Sequence, residues 1–185
     1  MGSDKACSVR TKGKKLGFWK LVYIFFFCAA AGWIWEEIYC LVKHGFWVER
    51  GFLFGPILPI YGLGGIAVYW LKARLKNRAP WLMFAASFGV AGAIEYVSSW
   101  LLERIFDKKW WDYTHVPFNI GGRVHFVGLV FFGMLGLVLG YFVLPSIEKF
   151  VERQNRKLLV AVGSLMLAIF TVDCVISVAY HFGAS

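Results

Sequence analysis

The sequence predicts an all-α, polytopic membrane helical bundle of five transmembrane helices, with the N-terminus cytoplasmic and the C-terminus outside. Three observations lead there. The 185-residue chain is 59% hydrophobic and 19% aromatic, more apolar surface than a soluble domain of this length needs. Its apolar stretches are continuous and about 20 residues long, the length that crosses a bilayer. Lipid forces backbone hydrogen bonds to close within helices or barrels, and runs without period-2 alternation select helices. The third observation is where the positive charge sits.

Residues 1–16 are polar and basic, with Lys5, Arg10, Lys12, Lys14 and Lys15, and read as a mobile cytoplasmic tail. A single transmembrane domain follows over 17–181, since no Pro/Gly/Ser-rich linker divides it. Its helices are expected at 17–41, 53–73, 81–103, 124–144 and 157–181, with Pro145 closing the fourth. Ala29, Ala30 and Ala31 resemble a signal-peptide cleavage region, but the apolar run continues through Trp33 and Trp35, as a transmembrane helix does. The 104–123 loop is long and aromatic, and Trp and Tyr favour the membrane interface.

Orientation follows from counting Lys and Arg. The tail to Lys20, the 72–78 turn and the 149–157 turn hold fourteen; the opposite face holds six, namely Lys43, Arg50, Arg104, Lys108, Lys109 and Arg123. The positive-inside rule puts the richer side in the cytoplasm. The same placement at helix ends explains the net charge of +9 without nucleic acid. The expected location is the cell (cytoplasmic) membrane, crossed several times. Cys7, Cys28, Cys40 and Cys174 form no disulfide framework or CxxC spacing and read as small hydrophobes.

Charged residues inside the spans mark the candidate site. At ~1.5 Å per residue, Glu95 lies ~21 Å above the cytoplasmic end of its helix and Asp173 ~24 Å up the last one. Glu36 and Glu37 close the first helix near the outer interface. All four acids fall in the outer half of a core ~30 Å thick. Arg50, Asp112 and Arg123 lie in outer loops at similar depth, with His115 and His125 nearby. An ionisable residue inside a span costs about 2.5–3.5 kcal/mol on insertion scales and faces the bundle interior or a wet cavity. A pocket open to the outer face is the expectation for Glu95 and Asp173; structural pairing is the alternative. The histidines read as interface residues, since no HExxH or paired ligand spacing occurs, and no metal or cofactor is expected.

The string Arg50-Gly51-Phe52-Leu53-Phe54-Gly55-Pro56-Ile57-Leu58-Pro59-Ile60-Tyr61-Gly62 reads either as broken backbone lining a cavity or as a plain helix start with Pro in its first turn. Gly136 and Gly140, and Ala85, Gly89 and Ala93, have helix-packing spacing.

With RGFLFGPILPIYG and WWDYTHVPFNIGGRVHF in view, the chain resembles a bacterial family of ABC-transporter permease-like proteins, the CmpB-like, type IV group. The resemblance covers roughly residues 17–180. Positions matching the family pattern include Trp35, Glu37, Arg50, Gly51, Gly55, Pro56, Pro59, Tyr61, Gly62, Glu95, Trp111, Asp112, Tyr113, Asn119, Gly122 and Arg123. The family often carries Asn where Gly121 stands. The resemblance implies transport without naming a substrate. Set beside the charges, the ligand-binding candidates are Glu37, Arg50, Tyr61, Glu95, Trp111, Asp112, Tyr113, Asn119, Arg123 and Asp173.

The first functional expectation is a transporter, or a transporter-associated permease-like subunit, whose pocket takes an anionic or lipid-derived ligand. Arg50 and Arg123 would hold the anion, and Glu95 would gate or carry a proton. No GxxxxGK[ST] loop is present, so the expected partners beyond the lipid bilayer are a separate ATPase or second membrane subunit, or further copies of the chain. One alternative is a small intramembrane enzyme acting on a lipid or lipid-linked substrate at the outer leaflet. Glu95 or Asp112 would then be the catalytic base, and Arg50 and Arg123 would stabilise phosphate charge. The other is a structural or regulatory membrane protein without a substrate.

Overall fold

Apolar runs too long for a globular core become long helices. The structure, a computed structural model, describes residues 3–45, 52–76 and 78–183, with backbone alone for 3–16 and 44. Helix α1 spans Ser3–His44, α2 Pro59–Arg74, α3 Pro80–Phe106, α4 Phe126–Val138, α5 Leu144–Arg153 and α6 Arg156–Gly183. A two-stranded antiparallel hairpin, β1 (Asn119–Ile120) and β2 (Val124–His125), precedes α4. Among the described residues, four helical stretches are long and apolar enough to cross a membrane: Gly17–Lys43, Pro80–Phe106, Phe126–Arg153 and Arg156–Gly183. The chain is therefore a multi-pass, all-α membrane protein. Helix α1 also continues back through the basic segment to Ser3.

Two further boundaries differ from the sequence expectation. Pro145 does not close the fourth helix. The helical path continues to Arg153, through a π turn over Leu139–Val143 in which the Leu144 amide bonds Leu139 O. A proline ring clashes with the carbonyl four residues back, here that of Tyr141, and the wider π turn lies where that carbonyl sits. The second helix starts at Pro59, not near residue 53. Pro56 and Pro59 lack amide donors, and the chain from Phe52 to Leu58 runs irregularly before Pro59 takes the first-turn position that suits it.

That irregular segment is tied to its neighbours. Leu58 N–H donates to Ala29 O in mid-α1 at 3.0 Å. Asp173 on α6 accepts from Phe54 N–H at 3.2 Å and Gly55 N–H at 3.0 Å. The buried Ser177 accepts from Phe54 N–H at 3.3 Å and donates to Asp173 at 3.3 Å. His181 meets Phe52 O at 3.2 Å and stacks on the Phe52 ring.

The helices pack in chain order, α1 on α2, α2 on α3 and α3 on α4. Small residues set the spacing. A side chain at Gly65 would strike Cys28 on α1, and one at Gly136 would strike Ser87 on α3. The predicted Gly136 packing position is thus a helix contact. The apolar core lies at the basic end of the bundle: Ile24, Cys28, Val68, Met83, Leu144, Ile147, Val151 and Leu159. Helix α5 closes that end. It turns Leu144, Ile147 and Val151 inward, while Glu152 pairs with Lys20 of α1 at 2.6 Å and Glu148 with Lys72 of α2 at 3.0 Å. Helix α6 is the least buried of the four spanning stretches, with 11% of its window covered.

These contacts differ in cost. Gly136→Val should destabilise the bundle by about 1–3 kcal/mol through overpacking. Glu148→Ala should cost no more than about 1 kcal/mol, because its pair is partly solvated, and Glu152→Ala, at an exposed carboxylate, should change the melting temperature least. Melting temperatures of the three variants in one detergent check the ordering.

Candidate functional site

The end of the bundle opposite the core carries the polar side chains. Glu36 sits about two turns from the end of the apolar stretch of α1, and Tyr61 in the first turn of α2. The Tyr61 hydroxyl donates to Glu36 Oε1 at 2.7 Å. Glu95, 7% exposed, enters from the middle of α3 and has the Tyr113 side chain as hydrogen-bond partner. Glu36 acts on Glu95 through space, and Glu95 and Tyr113 act on Tyr61. Four segments thus bring two carboxylates and two phenols together. Aromatic rings back the group: Tyr61 lies edge-on to Phe132, Trp35 stacks on Phe131 at 5.3 Å, and Tyr113 lies 4.5 Å from the His125 ring. Burial pushes the His125 imidazole below its ordinary pKa, so the ring is neutral at pH 7.

Tyr113 is positioned by a loop that folds upon itself. Tyr113 N–H donates to Gly122 O at 2.7 Å, and Trp111 Nε1–H to Arg123 O at 3.0 Å. Asn119 holds the turn from inside: its amide donates to Val116 O at 2.8 Å and Thr114 O at 3.3 Å, and its Oδ1 accepts from Gly122 N–H at 2.9 Å. Gly121 and Gly122 have φ of +60° and +68°, the left-handed region that Gly and Asn enter most readily. At position 121 the turn asks for a backbone conformation, not for a side-chain role.

The other expected site residues fall into separate places. Arg123 pairs with Glu103, donates to Ser99 Oγ at 3.2 Å and lies over the Tyr96 ring, so its charge is already engaged. Asp112 is half-exposed, accepts from Thr114 N–H at 2.9 Å and lies 3.7 Å from Lys109. Trp111 and Asn119 shape the loop. Asp173 is taken up by the Phe54 and Gly55 amides. Glu37 is 4% exposed, and its Oε2 has no hydrogen-bond partner. Arg50 lies outside the described residues. Glu36 was missed as a candidate because, beside Glu37, it read as an interface charge. The signal that could have found it is Tyr61, whose hydroxyl needs an acceptor when buried. No group of three or more His, Cys, Asp or Glu able to hold a metal occurs among the described residues.

Residues 23–178 match the family model described as "Putative ABC-transporter type IV". The chain belongs to the ABC-transporter type IV (CmpB) family. No curated protein and no solved structure matches it. The matched region takes in α2, α3, α4, the hairpin loop and all four residues of the polar cluster, so the cluster belongs to the part of the chain that the type IV family defines.

Two outcomes test the loop. Asn119→Ala removes two donors and an acceptor from a half-buried turn and should cost about 1–3 kcal/mol, with a change in tryptophan emission from Trp110 and Trp111. Hydrogen bonds from Thr114 hold the Asp112 carboxyl below its usual range. A depressed pKa means that this support is present above the ordinary Asp pKa and is lost as pH falls through the lowered one. Acid titration of the same emission should therefore show a transition at low pH that Asp112→Ala removes.

Proposed function

We propose that this chain is the membrane-spanning subunit of a transport system in the cytoplasmic membrane, with the Glu36–Tyr61–Glu95–Tyr113 cluster as its ligand site. The observation that carries the reading is convergence. Helices α1, α2, α3 and the 107–125 loop each contribute one polar side chain to a cluster around the buried Glu95, where an isolated ionisable group would be expensive. The four spanning stretches and family membership support the coarser part. For the finer part, α2 is the fifth crossing: 16 residues rise ~24 Å, and the tied segment 52–58 supplies the rest. The basic end then faces the cytoplasm, following the positive-inside rule, and the cluster opens to the outer face.

ATP hydrolysis, if it drives transport, belongs to another chain. The surface for that partner is the cytoplasmic face formed by the 72–80 turn, the outward side of α5 with Lys149 and Arg153, and the start of α6 with Arg156 and Lys157. Native mass spectrometry of the protein extracted gently from its host should find an ATPase or second membrane subunit in fixed ratio. Charge reversal at Lys149 and Arg153 should dissociate it without lowering the melting temperature. A chain that flies alone with a lipid adduct, and whose Glu95→Gln variant keeps the adduct but loses turnover, would instead support a lipid-directed enzyme. Ordinary transport by the charge-reversed protein would sink the coupled mechanism.

A further inference from the structure

The sequence alone leads to an anion, because arginines flank the outer half of the bundle. The side chains in place have a different balance. Arg123 is committed to Glu103 and Ser99. His125 is neutral. Glu95 has the Tyr113 side chain as hydrogen-bond partner, and among the described residues no ion pair reaches Glu95 or Glu36. Two carboxylates and two phenols therefore share one polar cluster, with the Tyr61 hydroxyl on Glu36 and the Tyr113 side chain on Glu95. A carboxylate has about four acceptor sites and a phenol one donor, so two tyrosines leave most of that capacity unused. Glu95 makes this concrete: it is 7% exposed, and its Oε2 accepts no hydrogen bond. A buried charge without compensation is costly, and a positive ligand group offsets it.

The surrounding rings narrow the class. The Tyr61 hydroxyl and the Tyr113 side chain reach the two acids, Phe132 packs edge-on against the Tyr61 ring, and Trp35 stacks on the neighbouring Phe131. Aromatic faces together with carboxylates are the chemistry that recognises organic ammonium groups. No set of three His, Cys, Asp or Glu stands ready for a metal ion among the described residues. An ammonium supplies one charge, up to three N–H donors, and C–H surface for the rings.

We infer that the Glu36–Tyr61–Glu95–Tyr113 cluster binds the ammonium group of an organic amine, with Glu95 and Glu36 as its carboxylate ligands. The inference rests on the cluster being the ligand site proposed above. The amine is either free in solution or the headgroup of a lipid, and the two sources differ in how the ligand arrives.

The experiment uses the full chain in nanodiscs of phosphatidylglycerol, which has no amine. Ethanolamine and choline are titrated while tryptophan emission is followed, with inorganic phosphate as the anionic comparison. Saturable binding of an amine is expected, weakened at least about tenfold by Glu95→Gln, the loss of one charge-assisted contact. Glu36→Gln, at a more accessible position, gives a second variant should Glu95→Gln fail to fold. If the soluble amines do not bind, native mass spectrometry after exchange into phosphatidylethanolamine reads the other arm. A retained phosphatidylethanolamine that Glu36→Gln releases assigns the headgroup as the source. Phosphate binding in place of the amines, binding of neither the amines nor the lipid, or equal amine affinity in the wild type and both glutamine variants overturns the inference. A partner ATPase found alongside any of those results leaves the transport reading standing and removes only the ligand class.

Discussion

Seven residues of non-helical backbone lie among helices built to sit in lipid, and their unpaired amides must find partners inside the protein. In lipid each unsatisfied amide costs several kcal/mol. The Asp173 carboxylate meets two of them, those of Phe54 and Gly55, with Ser177 as a second acceptor for Phe54. Ala29 O takes the Leu58 amide. These bonds fix where α2 begins, and so where Tyr61 stands relative to Glu36. They also attach α6, whose apolar face contributes little burial to the bundle. An acid deep in the last helix thus serves the backbone of the second.

The bundle divides its labour by depth. At the basic end, methyl-rich packing around Ile24, Met83 and Leu144 is closed by α5, whose two glutamates bind lysines from α1 and α2. At the other end, packing gives way to polar contacts, and the hairpin loop acts as a plug carrying Tyr113. Dense packing resists rearrangement, whereas a loop held by a few hydrogen bonds opens at lower cost. Any movement that admits a ligand therefore belongs to the polar end, with the basic end as the fixed frame.

Much of this was legible beforehand. Continuous apolar runs located the spanning part of α1, and α3 and α6, to within a few residues, and the expected depth of Glu95 led to the polar cluster. Other features required contacts that no period encodes. Pro145 reads as a stop until a π turn makes room for its ring. Asp173 reads as a pocket residue because the segment it serves is 119 positions away in the chain. Arg123 reads as a free cation, yet Glu103 and Ser99, on the neighbouring helix α3, already hold it. In each case the residue type was informative and the partner was not.

The long reach between Asp173 and the segment it satisfies has a consequence in time. Ribosomes make the chain from its N-terminus, so Phe54 and Gly55 meet the membrane while Asp173 and Ser177 are still untranslated. Throughout that interval the Phe54 and Gly55 amides lack the acceptors that α6 supplies. The segment must wait in water, at the insertion machinery or against a lipid headgroup until α6 arrives. Completion of the junction between the first two helices is thus a late event in biogenesis, and a chain that stalls or is cut before residue 173 leaves them joined by backbone whose amides lack their α6 acceptors.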